Sequence, residues 1–233
     1  MAKEPTPAAQ VAEKKPVGFI AVSVGDGIGD IFNNLGADYL IEGGQTMNPS
    51  TEDMLNAIEK INADTIYILP NNKNIVLAAN QAKEMTKDKN VVVIPTKTVP
   101  QGITAMIAYV PDVSVDENTE AMMAAVNGVK TGQITYAVRD TVIEGVEIHQ
   151  NDYMGIGDSG ILSNGKDMDE VTMEMVSKMV TDETEIISIY YGSDVKEEEA
   201  NAVSEKIVAA YPNCDVECQN GGQPIYYYII SAE

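Results

Sequence analysis

Four short apolar runs, each followed by residues at helical spacing, constrain this 233-residue chain most strongly. VGFIAVSV (17–24), DYLIE (38–42), TIYILP (65–70) and VVVIP (91–95) have the length and β-branched content of strands. Between the first two, Ile28, Ile31, Phe32 and Leu35 predict a short helix that Gly36 ends as the residue after the cap. Ser50, with Asp53 three residues on, predicts a capping box with a shortened acid, and Met54, Ile58 and Ile61 form the inward stripe of the helix behind it. Further helices are expected over 74–85 and near 102–109. Strand–helix alternation of this kind points to a mainly parallel, doubly wound sheet with right-handed crossovers.

The second half changes rhythm. After a helix near 117–128, residues 132–165 alternate and turn repeatedly, the pattern of an antiparallel meander. A helix over 167–181, a strand EIISIYYG, a helix through Glu197 to Tyr211, and strands CDVEC and IYYYIIS complete the chain. The fold class expected is therefore α/β with two subdomains, the first (17–120) mainly parallel, the second (121–233) mixed or antiparallel. Residues 1–16, rich in Ala, Pro, Lys and Glu, read as a flexible linker.

Charge is unevenly spread. Residues 111–233 carry 24 acids against 6 bases, whereas residues 1–110 are nearly balanced, and the whole chain stands at −21. That balance argues against nucleic acid, whose phosphates call for a basic surface, and against an anionic membrane. It suits either plain solubility or an acidic face that steers a basic protein. No apolar run approaches the length of a membrane span, and MAKEPTPAAQVAEKKP lacks a signal-peptide core, so no membrane insertion and a cytoplasmic location are expected. Cys214 and Cys218 lie four apart in a strand, too distant to bridge, and read as free thiols. With one histidine and no CxxC, no metal site is expected.

Several motifs bear on chemistry. GDGIGD (25–30) follows the first strand, but Asp30 stands where a dinucleotide loop needs its third glycine. His149 beside Asp152 in the meander reads as a surface histidine, and no nucleophile elbow is present. What remains are polar loops at the carboxyl ends of the parallel strands, where open α/β sheets build ligand sites. They offer Gly44, Gln45 and Thr46, then Asn71, Asn72, Lys73 and Asn74, then Gln101; Arg139 and Gln223 join them as cleft candidates. Asn72 or Asn74 could equally cap the helix that follows.

GGQTMNPSTEDMLNAIEKI followed by TIYILPNNKNIVLAANQA resembles the first subdomain of DegV-like fatty-acid-binding proteins. PNNKNI, KTVPQG, TYAVRD and GGQPIYYYIIS, in that order, more closely resemble the C-terminal domain of the large, dihydroxyacetone-kinase-like subunit of bacterial fatty acid kinase. The resemblance covers about residues 17 to 233. It implies a noncatalytic domain, without a cofactor of its own, that docks an acyl-carrying DegV-like partner through an acidic groove near the subdomain junction. Phosphoryl chemistry would then belong to an upstream kinase domain in the same polypeptide, in the service of lipid metabolism and phospholipid synthesis. In DegV-like carriers, hydroxyls in the serine-rich loop and near the Thr-Ser-Gln-Pro segment hold the carboxylate. Here Asn71–Asn74 contain no serine, and Thr46 or Gln45 stands at the other segment, so the implied carboxylate site is altered. Local acid density selects Asp140, Glu144, Asp167, Asp169 and Glu170 as partner contacts. The alternatives are a cleft that binds a small molecule or fatty-acid anion, or a phosphatase-like hydrolase.

Overall fold

The computed structural model describes residues 14–44, 47–143 and 145–233. Its elements run β1 (Lys15–Ser23), α1 (Asp26–Asn34), β2 (Tyr39–Glu42), α2 (Thr51–Lys60), β3 (Ala63–Leu69), α3 (Val76–Met85), β4 (Asn90–Val93), α4 (Val99–Ile107) and α5 (Val115–Gly128). There follow β5 (Lys130–Tyr136), β6 (Thr141–Ile143), β7 (Val146–Ile148), β8 (Tyr153–Gly157), β9 (Gly160–Gly165), α6 (Met168–Met179), β10 (Ile186–Tyr191), α7 (Glu197–Ala210), β11 (Asp215–Asn220) and β12 (Tyr228–Ala232). The first sheet has the order β2-β1-β3-β4, all parallel. The second has the order β11-β10-β12-β5-β8-β9 and mixes one parallel pair with antiparallel ones. The expected fold class is the one observed.

Strand alternation sorts the core into layers. Ile20, Val22, Ile66 and Ile68 face outward from the first sheet onto α2 and α3, meeting Met54, Ile58 and Ala79. Their alternates Phe19, Ala21, Tyr67 and Leu69 face inward, onto Ile28 and Phe32 of α1, Ile103 and Met106 of α4, and Met122 and Val126 of α5. Tyr190 and Ile229 of the second sheet close on that same cluster from the other side. Ile187, Ile189, Tyr228 and Ile230 turn the opposite way, onto Val171 and Met175 of α6 and Val203 and Ile207 of α7. The helices α1, α4 and α5 thus form a middle layer shared by both sheets, and a boundary at residue 120 falls inside α5. Each fully buried Ile, Met or Phe in these layers stabilises the fold by about 1.5–3 kcal/mol.

Local signals behave as their chemistry dictates. Ser50 accepts Asp53 N–H while Asp53 accepts Ser50 N–H at 2.7 Å, a complete capping box. Gly36 takes φ 96° just past the end of α1. Three expectations need correction. Lys15 and Pro16 belong to β1 rather than to a linker, while residues 1–13 lie outside the described residues. The helix α4 starts earlier than expected, because Thr98 caps it and Pro100 occupies its first turn, where a missing N–H costs nothing. Strand β12 starts only at Tyr228, because Gln223 anchors a turn and Ile225 takes φ 73°.

Candidate functional site

The carboxyl ends of β1, β2 and β3 open toward the segment Gln223–Tyr226, and a cleft of two adjoining hollows lies there. The first, of about 290 Å³, is walled by Val22, Val99, Ile229 and Ile225 and edged by Gly44, Asn72 and Gln133. The second, of about 360 Å³, is polar, with Lys73, Lys97, Thr98, Gln101 and Asp158. The two share Asn71, Asn72, Gln133 and Tyr226.

Asn71 is a structural pin in this cleft. Its Nδ2 donates to Val22 O at 2.9 Å, its N–H donates to Thr96 Oγ1 at 3.0 Å, and its Oδ1 accepts from the Thr96 hydroxyl at 2.8 Å. Its φ of 55° is one an asparagine tolerates. A Cβ on Gly102 would stand 2.1 Å from Asn71 Oδ1, so α4 can lie this close only because of that glycine. Asn72 does not cap α3; Ile75 holds that position, and Asn72 Oδ1 instead accepts Asn74 N–H at 2.9 Å in an Asx turn. Gln101, in the first turn of α4, turns its Oε1 back onto Lys97 N–H at 2.8 Å.

Gln223 is 1% exposed. Its Nε2 donates to Tyr190 O and Tyr226 O, while its Oε1 accepts nothing. Burial pushes the Tyr226 phenol up to about 12, so it is neutral across the physiological range. Thr98 and Thr131 share a hydrogen bond of 2.9 Å that ties the start of α4 to β5.

The cleft therefore gathers Gly44, Asn71, Asn72, Lys73, Gln101 and Gln223. Asn74 is exposed and lines neither hollow, and Arg139 stands exposed on the loop before β6. Gln45 and Thr46 lie outside the described residues. Sequence reasoning missed Gln133, Tyr226 and Ile225 as lining residues, because only the pairing of β5 with β12 brings Gln133 to face the loop at 223–226. His149 is exposed and lines neither hollow. Among the described residues, no group of three His, Cys, Asp or Glu side chains is arranged to hold a metal, and no helix is long and apolar enough to cross a membrane.

A second feature lies at the opposite extreme in polarity. The strand β9 ends at Gly165 and β10 at Tyr191, and registers through β8, β5 and β12 place both at one end of the second sheet. Helices α6 and α7 begin there, and their first turns hold Asp169 and Glu170, and Glu197, Glu198 and Glu199. Acids suit a helix N-terminus, so the fold itself collects negative charge at this end. Some of these acids have local tasks. Asp167 caps α6 by accepting Glu170 N–H at 3.0 Å, Asp169 pairs with Lys206 at 2.5 Å, and Asp140 accepts Gln150 N–H at 2.7 Å. Glu170 is exposed, and Glu144 lies outside the described residues.

Comparison with known proteins agrees with this architecture. Protein YloV of Bacillus subtilis (strain 168) is 45% identical over 220 residues, which are 94% of this chain and 40% of that protein. The chain thus spans about two-fifths of the length of the curated relatives it matches. Among solved structures, a DegV family protein of Thermus thermophilus described for its fatty acid binding superposes with a TM-score of 0.64 at 11% identity, over 94% of this chain and 99% of that one. The Fak B3 protein of Streptococcus pneumoniae fatty acid kinase, loaded with linoleic acid, gives 0.57 at 13% identity, over 93% and 99%. At such identities the likeness is one of fold. The family of FakA-like C-terminal domains of fatty acid kinase matches residues 18–233, and with the cleft, the two sheets and the Bacillus relative in agreement, this chain belongs to that family.

Proposed function

We propose that this chain is a docking domain of a fatty acid kinase, receiving an acyl-carrying DegV-like protein on its acidic side while an upstream kinase domain of the same polypeptide performs the phosphoryl transfer. The observation that carries the reading is the charge distribution. Twenty-four of the 36 acids fall in residues 111–233, and the starts of α6 and α7 bring a share of them to one end of one sheet. Such a field raises the encounter rate with a basic protein and fixes its approach, effects that salt screens. The domain shares its fold with the Fak B3 protein, yet where the resemblance implies a serine-rich loop in such carriers this chain has Asn71, Asn72 and Asn74. Partner recognition on an outer face is consistent with that difference. The test is calorimetric titration of this chain with a DegV-like carrier between about 0.05 and 0.5 M NaCl. Affinity should fall steadily as salt rises; binding indifferent to salt, or none at all, defeats the reading.

One observation favours a second reading, in which the cleft holds a small ligand. The Gln223 Oε1 acceptor is buried without a partner, beside the apolar hollow, and Lys73 and Lys97 stand over the adjoining one. A volume of about 290 Å³ lies at the lower limit for small-molecule sites. Native mass spectrometry of the purified protein decides it: a retained anion or fatty acid supports the cleft, and an unliganded mass counts against it.

A further inference from the structure

The strands β5 and β8 pair at their ends through Tyr136 and Tyr153, and the chain between them leaves the body of the second sheet as a two-stranded ribbon, β6 and β7. The root of this ribbon is fixed. Ala137 N–H donates to Asp152 O and Asn151 N–H to Ala137 O, both at 2.8 Å, and Lys166 Nζ stands 2.5 Å from Asp152 Oδ1. Asn164 Nδ2 reaches Glu147 O across from β9. The base of the ribbon is thus tied to the end of the sheet and to β9.

Its surface is apolar where solvent would favour polar residues. Val138 is 71% exposed and Val142 is 65% exposed, and Ile143 pairs across the ribbon with Val146, both of them also exposed. At the root, Tyr136 is itself 43% exposed, and Tyr227 packs 6.3 Å from its ring and 5.6 Å from that of Tyr153. An exposed tyrosine backed by the half-buried Tyr153 and Tyr227 and grouped with aliphatic side chains has the composition of an interface centre. The same end of the sheet carries the acids of α6 and α7, while Asp140 stands just before the ribbon and Glu147 lies on it. Val142 and Glu147 share one side of the ribbon and Ile143 and Val146 the other. An apolar projection among carboxylates, with the exposed Arg139 beside Val138, fits a basic surface with an apolar recess. It repels a second copy of itself, because each copy would bring the same acids to the contact.

We propose that the ribbon strands β6 and β7, with Val138 and Tyr136 at their root, are the apolar centre of the face on which the basic acyl-carrying partner docks. The inference rests on the docking function proposed above and names the surface that performs it. Acids set the encounter and its salt dependence; the valines, once desolvated, slow dissociation. The two contributions separate on substitution.

The experiment uses this chain, a DegV-like carrier and the double substitution Val138→Ser with Val142→Ser, which leaves charge unchanged and touches exposed side chains only. Affinity should drop at least tenfold, by the same factor at about 0.05 and 0.3 M NaCl, chiefly through faster dissociation. The substitution Glu197→Gln with Glu198→Gln should instead lose its effect as salt rises. Unaltered far-ultraviolet dichroism and melting temperature show that both variants fold. Should the serine variant bind within twofold of the original, the ribbon is not the docking centre. Should the original chain fail to bind the carrier at all, the docking function falls first and this inference with it. Should light scattering show a dimer that the serine variant abolishes, the ribbon serves self-association and the proposal is overturned.

Discussion

Asn71 and Thr96 exchange two hydrogen bonds across the ends of β3 and β4, Asn71 N–H to Thr96 Oγ1 at 3.0 Å and the Thr96 hydroxyl to Asn71 Oδ1 at 2.8 Å. Both residues are buried, so neither group has water to fall back on. Thr96→Val keeps the shape but removes the one hydroxyl that serves both bonds, leaving the buried Asn71 N–H and Oδ1 unpaired, and should cost about 1–3 kcal/mol in urea unfolding. Thr96→Ser, which keeps the hydroxyl, should stay well within that loss. Equal destabilisation by the two would mean that the methyl group, not the hydroxyl, matters here.

Gly27 and Gly128 should respond to alanine in opposite directions. A Cβ on Gly27 would stand 1.9 Å from the backbone oxygen of Asn220, and no side-chain rotation relieves a clash with backbone. Gly27→Ala should therefore cost about 2 kcal/mol or more. Gly128 closes α5 with nothing within 4 Å of its missing Cβ, so Gly128→Ala should raise stability by about 0.5–1 kcal/mol through helix propensity. Thermal melts of the two variants read both signs directly.

The Lys166 ammonium, His149 N–H and the charge of Lys166 together hold the Asp152 carboxyl below the usual carboxylate range. A lowered folded-state value means that Asp152 stabilises the fold above its unfolded value of about 3.9, and that this contribution fades as pH falls through the folded value. The variant Lys166→Met should therefore melt below the original at pH 7, and the gap should close below about pH 4. A gap that stays constant through acid pH would assign Lys166 a packing role only.

Ile225 occupies φ 73°, a region in which a β-branched residue is strained. The conformation is enforced by Thr135, whose hydroxyl donates to Ile225 O at 3.0 Å, and by the Gln223 amide two residues earlier. Ile225→Asn, which accepts this backbone readily, should stabilise the chain by about 1 kcal/mol. If instead it destabilises, the packing of Ile225 against the cleft outweighs its strain.

The first sheet was legible because its strands are largely apolar runs and α2, α4 and α5 carry capping hydroxyls, Ser50 with Asp53 being the clearest. The layers were less so. Nothing local distinguishes Tyr190, which faces the shared middle layer, from Tyr191 beside it, since only the twofold alternation of β10 and its place in the sheet decide between them. Asn71 and Asn72 were found as loop residues of the cleft, but their tasks were not, because Thr96 and Gly102 come close only when β4 pairs with β3. Gln133 and Tyr226 escaped because their loop and strand meet across about ninety residues of chain, as the hydrogen bond from Thr135 to Ile225 O illustrates. Gly221 lies against Gly25, and Ile28 N–H donates to Gly221 O at 3.0 Å, a contact between residues almost two hundred apart in the chain.

The middle layer of α1, α4 and α5 has a further consequence. Its helices offer apolar side chains to Phe19 and Tyr67 on one side and to Tyr190 and Ile229 on the other, within a single buried cluster. Neither sheet can part from this layer without wetting the cluster, so a thermal melt should show both halves unfolding in a single transition. The fate of each sheet is thereby tied to that of the other through three helices that belong to neither alone.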